Sequence, residues 1–211
     1  MVVRLPASER REQLLHVALE TFARQGYHGT SMNDVARAAG VTKPVLYQHF
    51  GSKRELYRSL LEAVGERLIS SITAATADAP DGRVQTERGF GAYFGWVSRD
   101  PDAFRLLFGS GARRDDEFND AVRRFTAEAA AVIAPLIAVD IDPEHQSTIA
   151  FGLVGLAEGV SRRLLDNGLA FDSDTVARQV SELAWAGLRG LGRVETTVVS
   201  ATAHERSTGP R

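Results

Sequence analysis

The chain has 211 residues, 44% of them hydrophobic, a formal net charge of -2 and no cysteine. That is enough apolar material for one packed domain, or for a small module joined to a larger one, and it excludes disulfides, thiolate metal sites and cysteine nucleophiles. No apolar run approaches the ~18 residues of a membrane span, and the opening MVVRLPASERREQ lacks the apolar core of a signal peptide, so a cytoplasmic protein without membrane contact is expected.

Helical periodicity runs along nearly the whole chain, and strand signals are nearly absent. From Ser8 to Gln25, the residues Leu14, Leu15, Ala18, Leu19 and Phe22 form one apolar stripe, and Gly26 offers a left-handed cap. Ser31 with Asp34 three residues on predicts a capped second helix, short because Gly40 stops it. Thr42 is placed to cap a third, with Pro44 in a first turn where its missing N–H costs nothing and Gly51 as the breaker. Ser52 with Glu55 spells a capping box that opens a longer helix from Lys53 to about Ala77. Beyond ADAPDG at 77–82, helices are expected at about 84–98, 101–109, 115–138, 143–167 and 173–191. Their breakers are Asp100 with Pro101, the GSG at 109–111, the DIDP ending at Pro143, and Asn167 with Gly168. Residues 194–211 carry no sustained pattern and are expected to be a disordered tail.

Charge is uneven. Residues 1–60 hold nine Lys or Arg against five acids, leaving 16 against 22 in the remainder. A basic head on an acidic body fits a polyanion-binding module; an ordinary solvated surface is the plain alternative. Two short capped helices joined at Gly40 and Val41 make a helix-turn-helix, whose second helix can lie in the DNA major groove. Val45, Leu46 and Phe50 can face inward, which leaves Lys43, Pro44, Tyr47 and Gln48 outside, types that reach phosphates, base edges and the thymine methyl. His49 can instead pack against its helix end, Tyr47 can be half-buried core, and Pro44 can be purely structural.

Six of the sixteen aromatic residues (Phe90, Tyr93, Phe94, Trp96, Phe104 and Phe108) crowd into 90–108, among Gly89, Gly91 and Gly95. Each glycine costs a helix interior roughly 1 kcal/mol relative to alanine, so close packing or room for a ligand must offset it; ordinary core is the plain reading. An enzyme is not expected, because the five histidines show no ligand spacing and no serine-nucleophile motif or phosphate loop appears. No metal or cofactor is expected either.

The run F-x-x-x-G-Y from Phe22 to Tyr27, followed by T-S-M-x-D-V-A-x-A-A-G-V-T-K-P-V-L-Y-Q-H-F-x-S-K-x-E-L from Thr30 to Leu56, resembles the DNA-binding domain of TetR-family transcriptional regulators. The resemblance implies an all-α homodimer: a DNA-binding domain over 8–68 with its helix-turn-helix at about 31–50, and an effector-binding and dimerisation domain over 69–193. It also implies roles. Thr42 and Lys43 meet phosphate or base edges, Tyr47 and His49 contact phosphate, Lys53 grips the DNA backbone, and Thr30 and Ser31 offer a further phosphate contact. Gln48 is the candidate for pairing with adenine, and Pro44 for touching a thymine methyl. In the body, Phe90, Tyr93, Phe94, Phe104 and Phe108, with Phe125 and Phe151 closing the far wall, are expected around an effector. Gly152, Gly155, Gly159, Val176, Val180, Leu183, Gly187 and Leu188 are expected at the dimer contact, with intramolecular core as the alternative.

RLPxxERR at the start, RLLF at 105–108, FGLVG at 151–155 and AWAGL at 184–188 are similar to an actinobacterial branch that includes regulators of fatty-acid synthesis. That branch implies a long acyl or acyl-CoA effector. The expectation is therefore an operator-binding repressor released by a small apolar effector. The alternatives are an activator of the same family and, in a different class, a helical adaptor without DNA binding.

Overall fold

The structure, a computed structural model, describes residues 6–109, 116–168 and 170–191, with the side chains of 116 and 117 left aside. The described residues form nine α-helices and no strand, an all-α architecture. In chain order these are α1 (Ala7–Gly29), α2 (Met32–Ala38), α3 (Lys43–His49), α4 (Lys53–Thr76), α5 (Gly82–Arg99), α6 (Pro101–Phe108), α7 (Asp116–Ile133), α8 (Pro143–Asp166) and α9 (Ser173–Leu191). The expected helix start at Asp115, part of the GSG breaker and the tail over 194–211 lie outside the described residues.

Local chemistry explains most of the boundaries. Ser31 and Asp34 form a reciprocal capping box, with Asp34 N–H donating to Ser31 Oγ at 3.2 Å and Ser31 N–H to Asp34 Oδ2 at 3.0 Å. Glu55 N–H donates to Ser52 Oγ at 3.0 Å at the start of α4, and Asp81, Asp100 and Asp142 cap α5, α6 and α8 in the same way. Gly26 takes φ +71° and Gly40 φ +64°, a region that side chains with a Cβ rarely enter. Gly26 pairs that φ with ψ 168°, so it is a sharp turn rather than the left-handed cap expected, and one further helical turn follows it to Gly29.

Three further boundaries differ from expectation. Thr42 makes no capping hydrogen bond and starts α3 by its extended backbone alone, with proline in the first turn. α3 ends at His49, two residues before Gly51, because Phe50 turns into extended conformation (φ -144°, ψ 112°) and drives its fully buried ring into the core. α7 stops at Ile133 and tightens into a 3-10 turn over Ala134–Leu136 instead of reaching 138; Pro135 has no N–H to continue the ladder, and its ring clashes with the preceding turn.

One hydrophobic core runs from Leu14 of α1 to Ala184 of α9, so the first four helices and the later ones are not separately packed. α1 packs on α2, α4 and α6, α4 lies along α5 and α7, and α5 lies along α9. The joint is aromatic. Tyr27, swung inward by the turn at Gly26, has its ring centroid 4.9 Å from Tyr57 of α4 and 4.8 Å from Phe118 of α7. Tyr57 and Phe118 are 4.6 Å apart, and such tilted pairs add about 0.5–1.5 kcal/mol each beyond burial.

Candidate nucleic-acid interface and buried cavity

α3 has seven residues and is therefore ~10 Å long, which matches the ~12 Å width of a major groove. Leu46 is fully buried and anchors it, while Thr42, Lys43, Pro44, Tyr47 and Gln48 are exposed on its other side, Tyr47 by 42%. The Thr42 hydroxyl, unused as a cap, is left on that outer side. The Lys43 ammonium stands 5.8 Å from the Tyr47 ring centroid, at the edge of cation–π range. His49 is half-buried, with its ring 6.5 Å from that of Phe50.

Beside α3 an open concavity is walled by His28, Thr30, Ser31, Asn33, Lys43, Tyr47 and Lys53 among others. It gathers residues 25 positions apart in sequence from four helices and their connections. Its frame is a lysine: Lys53 Nζ donates to the carbonyls of Tyr27 and Thr30, both at 2.9 Å, and lies 4.4 Å from the Tyr27 ring centroid. Thr30 is 2% exposed and donates its hydroxyl to Gly26 O at 2.8 Å, so it shapes the turn rather than presenting a donor. Ser31 is exposed, but its hydroxyl donates to Asp34 Oδ2 at 2.5 Å, and Asp34 also pairs with Arg37. The Ser31 hydrogen bonds, with Arg37 beside them, hold the Asp34 carboxyl below the ordinary carboxylate value. His28 and Asn33 share this concavity and carry no sequence signal that would single them out; only the return of the chain past Gly26 brings them there.

A second feature lies among the later helices. A cavity of about 230 Å³ is lined by Leu68, Ile72 and Thr76 of α4, by Phe90 and Tyr93 of α5, by Phe108 and Phe125, by Leu153 and Ala157 of α8, and by Trp185, Leu188 and Arg189 of α9. The lining is overwhelmingly apolar. Four of the aromatic residues expected around an effector, Phe90, Tyr93, Phe108 and Phe125, face it. Phe94 and Phe104 lie in the core, and Phe151 is 45% exposed on the outside of α8. Leu188, expected at a dimer contact, points to the cavity instead.

The outer sides of α8 and α9 are sparse. A methyl group added at Gly152, Gly155, Gly159 or Gly187 would meet nothing within 4 Å, and Leu183 is 64% exposed. Val180 is buried and Val176 half-buried against the core. Among the described residues there is no group of His, Asp or Glu side chains able to hold a metal ion, and no helix is long and apolar enough to cross a membrane.

Residues 14–60 match the family described as bacterial regulatory proteins, tetR family. The chain is also 34% identical over 187 residues to the HTH-type transcriptional activator FasR of Mycolicibacterium smegmatis, covering 88% of this chain and 85% of that protein. The chain belongs to the tetR family. It is a DNA-binding transcriptional regulator of the helix-turn-helix type and not an enzyme. Among solved structures, a TetR-like transcriptional regulator from Rhodococcus sp. RHA1 is 28% identical with a TM-score of 0.72, over 89% of this chain and 100% of that one. The FadR regulator of Bacillus subtilis in complex with stearoyl-CoA shares the fold at 16% identity, with a TM-score of 0.71 over 83% and 98% of the two chains.

Proposed function

We propose that this tetR-family regulator binds operator DNA as a homodimer and that an apolar effector in the cavity controls the binding. The observation that carries the reading is the double role of α4. Its first residue, Lys53, is bonded to the turn before α2, and its later residues Leu68, Ile72 and Thr76 wall the cavity. A molecule that widens the cavity pushes on the same rigid rod that holds the DNA-facing concavity. Phe125 of α7 gives a parallel route, since Phe118 on that helix packs against Tyr27.

On this reading residues 8–68 form the DNA-binding unit and 69–193 the effector-binding and dimerisation unit. Thr42 and Lys43 face phosphate or base edges, Gln48 faces a base and Pro44 a thymine methyl. Tyr47, His49, Ser31 and Lys53 face phosphates, with Thr30 as their support. The two recognition helices of a dimer must stand ~34–36 Å apart to enter successive major grooves, and a tilt of α4 spoils that spacing. The dimer contact uses the outer sides of α8 and α9, with Gly152, Gly155, Gly159, Leu183 and Gly187 allowing close approach. A regulator that acts on chromosomal DNA works in the cytoplasm, which is the location this reading implies.

Stearoyl-CoA in the FadR neighbour supports a fatty-chain effector. The sign of control has two readings: release of a repressor by the effector, and activation, which the name of the FasR relative favours. The test is operator affinity with and without stearoyl-CoA, run beside free stearate. A change of tenfold or more supports the switch, and equal affinities in both sink it. Transcription in vitro from the bound promoter then separates repression from activation.

A further inference from the structure

Few side chains on the cavity wall carry polar atoms, and several of those are satisfied or turned away. The Thr76 hydroxyl donates to Ile72 O at 2.9 Å and the Thr86 hydroxyl to Gly82 O at 2.7 Å, each within its own helix. Tyr93 contributes to the wall, but its hydroxyl is buried beside Ser161. Gln85 of α5 remains, with Trp185 and Arg189 of α9, and none of these three side chains makes a hydrogen bond or ion pair among the described residues. Gln85 and the Trp185 indole are neutral and select no charge. Arg189 carries a positive charge and a planar fork of donors suited to carboxylate and phosphate.

Arg189 also marks where the cavity meets solvent. It is exposed, and with Trp185 it lines a second pocket together with Arg83, Glu87, Ser181 and Glu182. The same two side chains thus belong to an apolar chamber and to a polar vestibule. Within the vestibule the other charges are matched: Arg83 Nε lies 3.0 Å from Glu87 Oε1, and Glu182 Oε1 lies 3.6 Å from Arg178 Nη1. Arg189 is the cation left over. A hydrocarbon chain in the cavity brings its polar end to this mouth. There an anion gains a charge-assisted, bidentate contact, an ammonium is repelled, and a hydroxyl gains no charge interaction. About 230 Å³ has room for a chain of roughly eight to ten carbons, since about 150 Å³ takes a benzene ring. A longer chain held at the same mouth must part the walls.

We propose that the effector is a hydrocarbon chain with an anionic head, a carboxylate or a phosphate, and that Arg189 receives this head at the α9 mouth while the chain lies among Leu68, Phe90 and Phe125. The assignment rests on the reading of the cavity as an effector site and adds the charge and the placement of the ligand's head.

The test uses the full chain as wild type, Arg189→Gln and Arg189→Lys, titrated calorimetrically at low salt with decanoate, decyl phosphate, 1-decanol and decyltrimethylammonium. Wild type should bind at least one of the two anions about fivefold or more tighter than the ammonium. Arg189→Gln should weaken that anion about fivefold and leave 1-decanol unchanged, and Arg189→Lys should keep most of the anion's affinity. The loss should shrink in high salt. The anion that loses more on Arg189→Gln identifies the head as carboxylate or phosphate, and decanoyl-CoA run beside decyl phosphate separates a thioester carrier from a simple phosphate. Because Arg189 is exposed, the free protein's Tm should be the same in all three proteins. The assignment is wrong if the ammonium binds as tightly as both anions, if Arg189→Gln leaves both anions as tight as in wild type, or if it weakens 1-decanol equally. In each of those cases the chain still binds and the effector cavity stands without the charged mouth; if no probe binds wild type, both readings fall.

Discussion

Lys53 has three donors and commits two of them to the carbonyls of Tyr27 and Thr30, which leaves one for the phosphate contact proposed above. Lys53→Met is therefore expected to do two things at once. The slope of log affinity for a DNA duplex against log salt should flatten by about one, and urea unfolding should show a loss of roughly 1–2 kcal/mol. A loss of stability with an unchanged slope makes the lysine a brace alone. Asp34 gives a pH prediction. Its folded-state pKa lies below the ordinary 3.8, so folding favours the ionised form; the stabilisation is complete above 3.8 and is lost as pH falls through the lower folded value. Asp142 and Asp172 are lowered by their own caps and titrate in the same window, so the difference between wild type and Asp34→Asn in acid unfolding isolates the α2 cap. At this scale the sequence was readable where a partner lies three residues away, as with Ser31 and Asp34 or Ser52 and Glu55. It was silent where the partner is remote: nothing near Lys53 in the chain announces Tyr27 O or Thr30 O.

Among the helices, the tightest fit is between α4 and α7. A methyl group added at Gly65 would lie 2.7 Å from Cδ2 of Phe125 and within 3.3 Å of two more ring atoms. Alanine gains about 1 kcal/mol of helix propensity, but displacing an aromatic ring that forms part of a packed wall costs about 1–3 kcal/mol. Gly65→Ala should accordingly be destabilising on balance in urea unfolding, and Gly91→Ala, with nothing within 4 Å, should be stabilising. Helix order and number followed from periodicity and punctuation, because glycine, proline and capping residues act locally. What periodicity cannot give is the choice between helices. Gly65 looks like any other helix glycine until Phe125 is set against it, and Phe151, the single aromatic residue of α8, turns outward. Pro135 carries a local stop signal inside the stretch 115–138 expected as one helix.

Among the described residues, the outer sides of α8 and α9 leave Gly152, Gly155, Gly159, Gly187 and Leu183 open. On the proposed dimer, wild type should sediment as a dimer and Leu183→Glu as a monomer at the same concentration. Its folding stability should change by no more than about 0.5 kcal/mol, and operator affinity should fall about a hundredfold as the second half-site contact ceases to be intramolecular. A dimer that survives the charge puts the interface elsewhere. The placement of the tryptophans also has an optical consequence. Both tryptophans, Trp96 and Trp185, belong to α5 and α9, and none lies in the first four helices. Trp185 stands at the cavity with its ring 3.2 Å from where a side chain on Gly82 would begin. The indole emission of the unlabelled protein therefore originates wholly in the half that holds the cavity, and a single tryptophan, reached by removing Trp96, would turn that emission into a gauge of one wall.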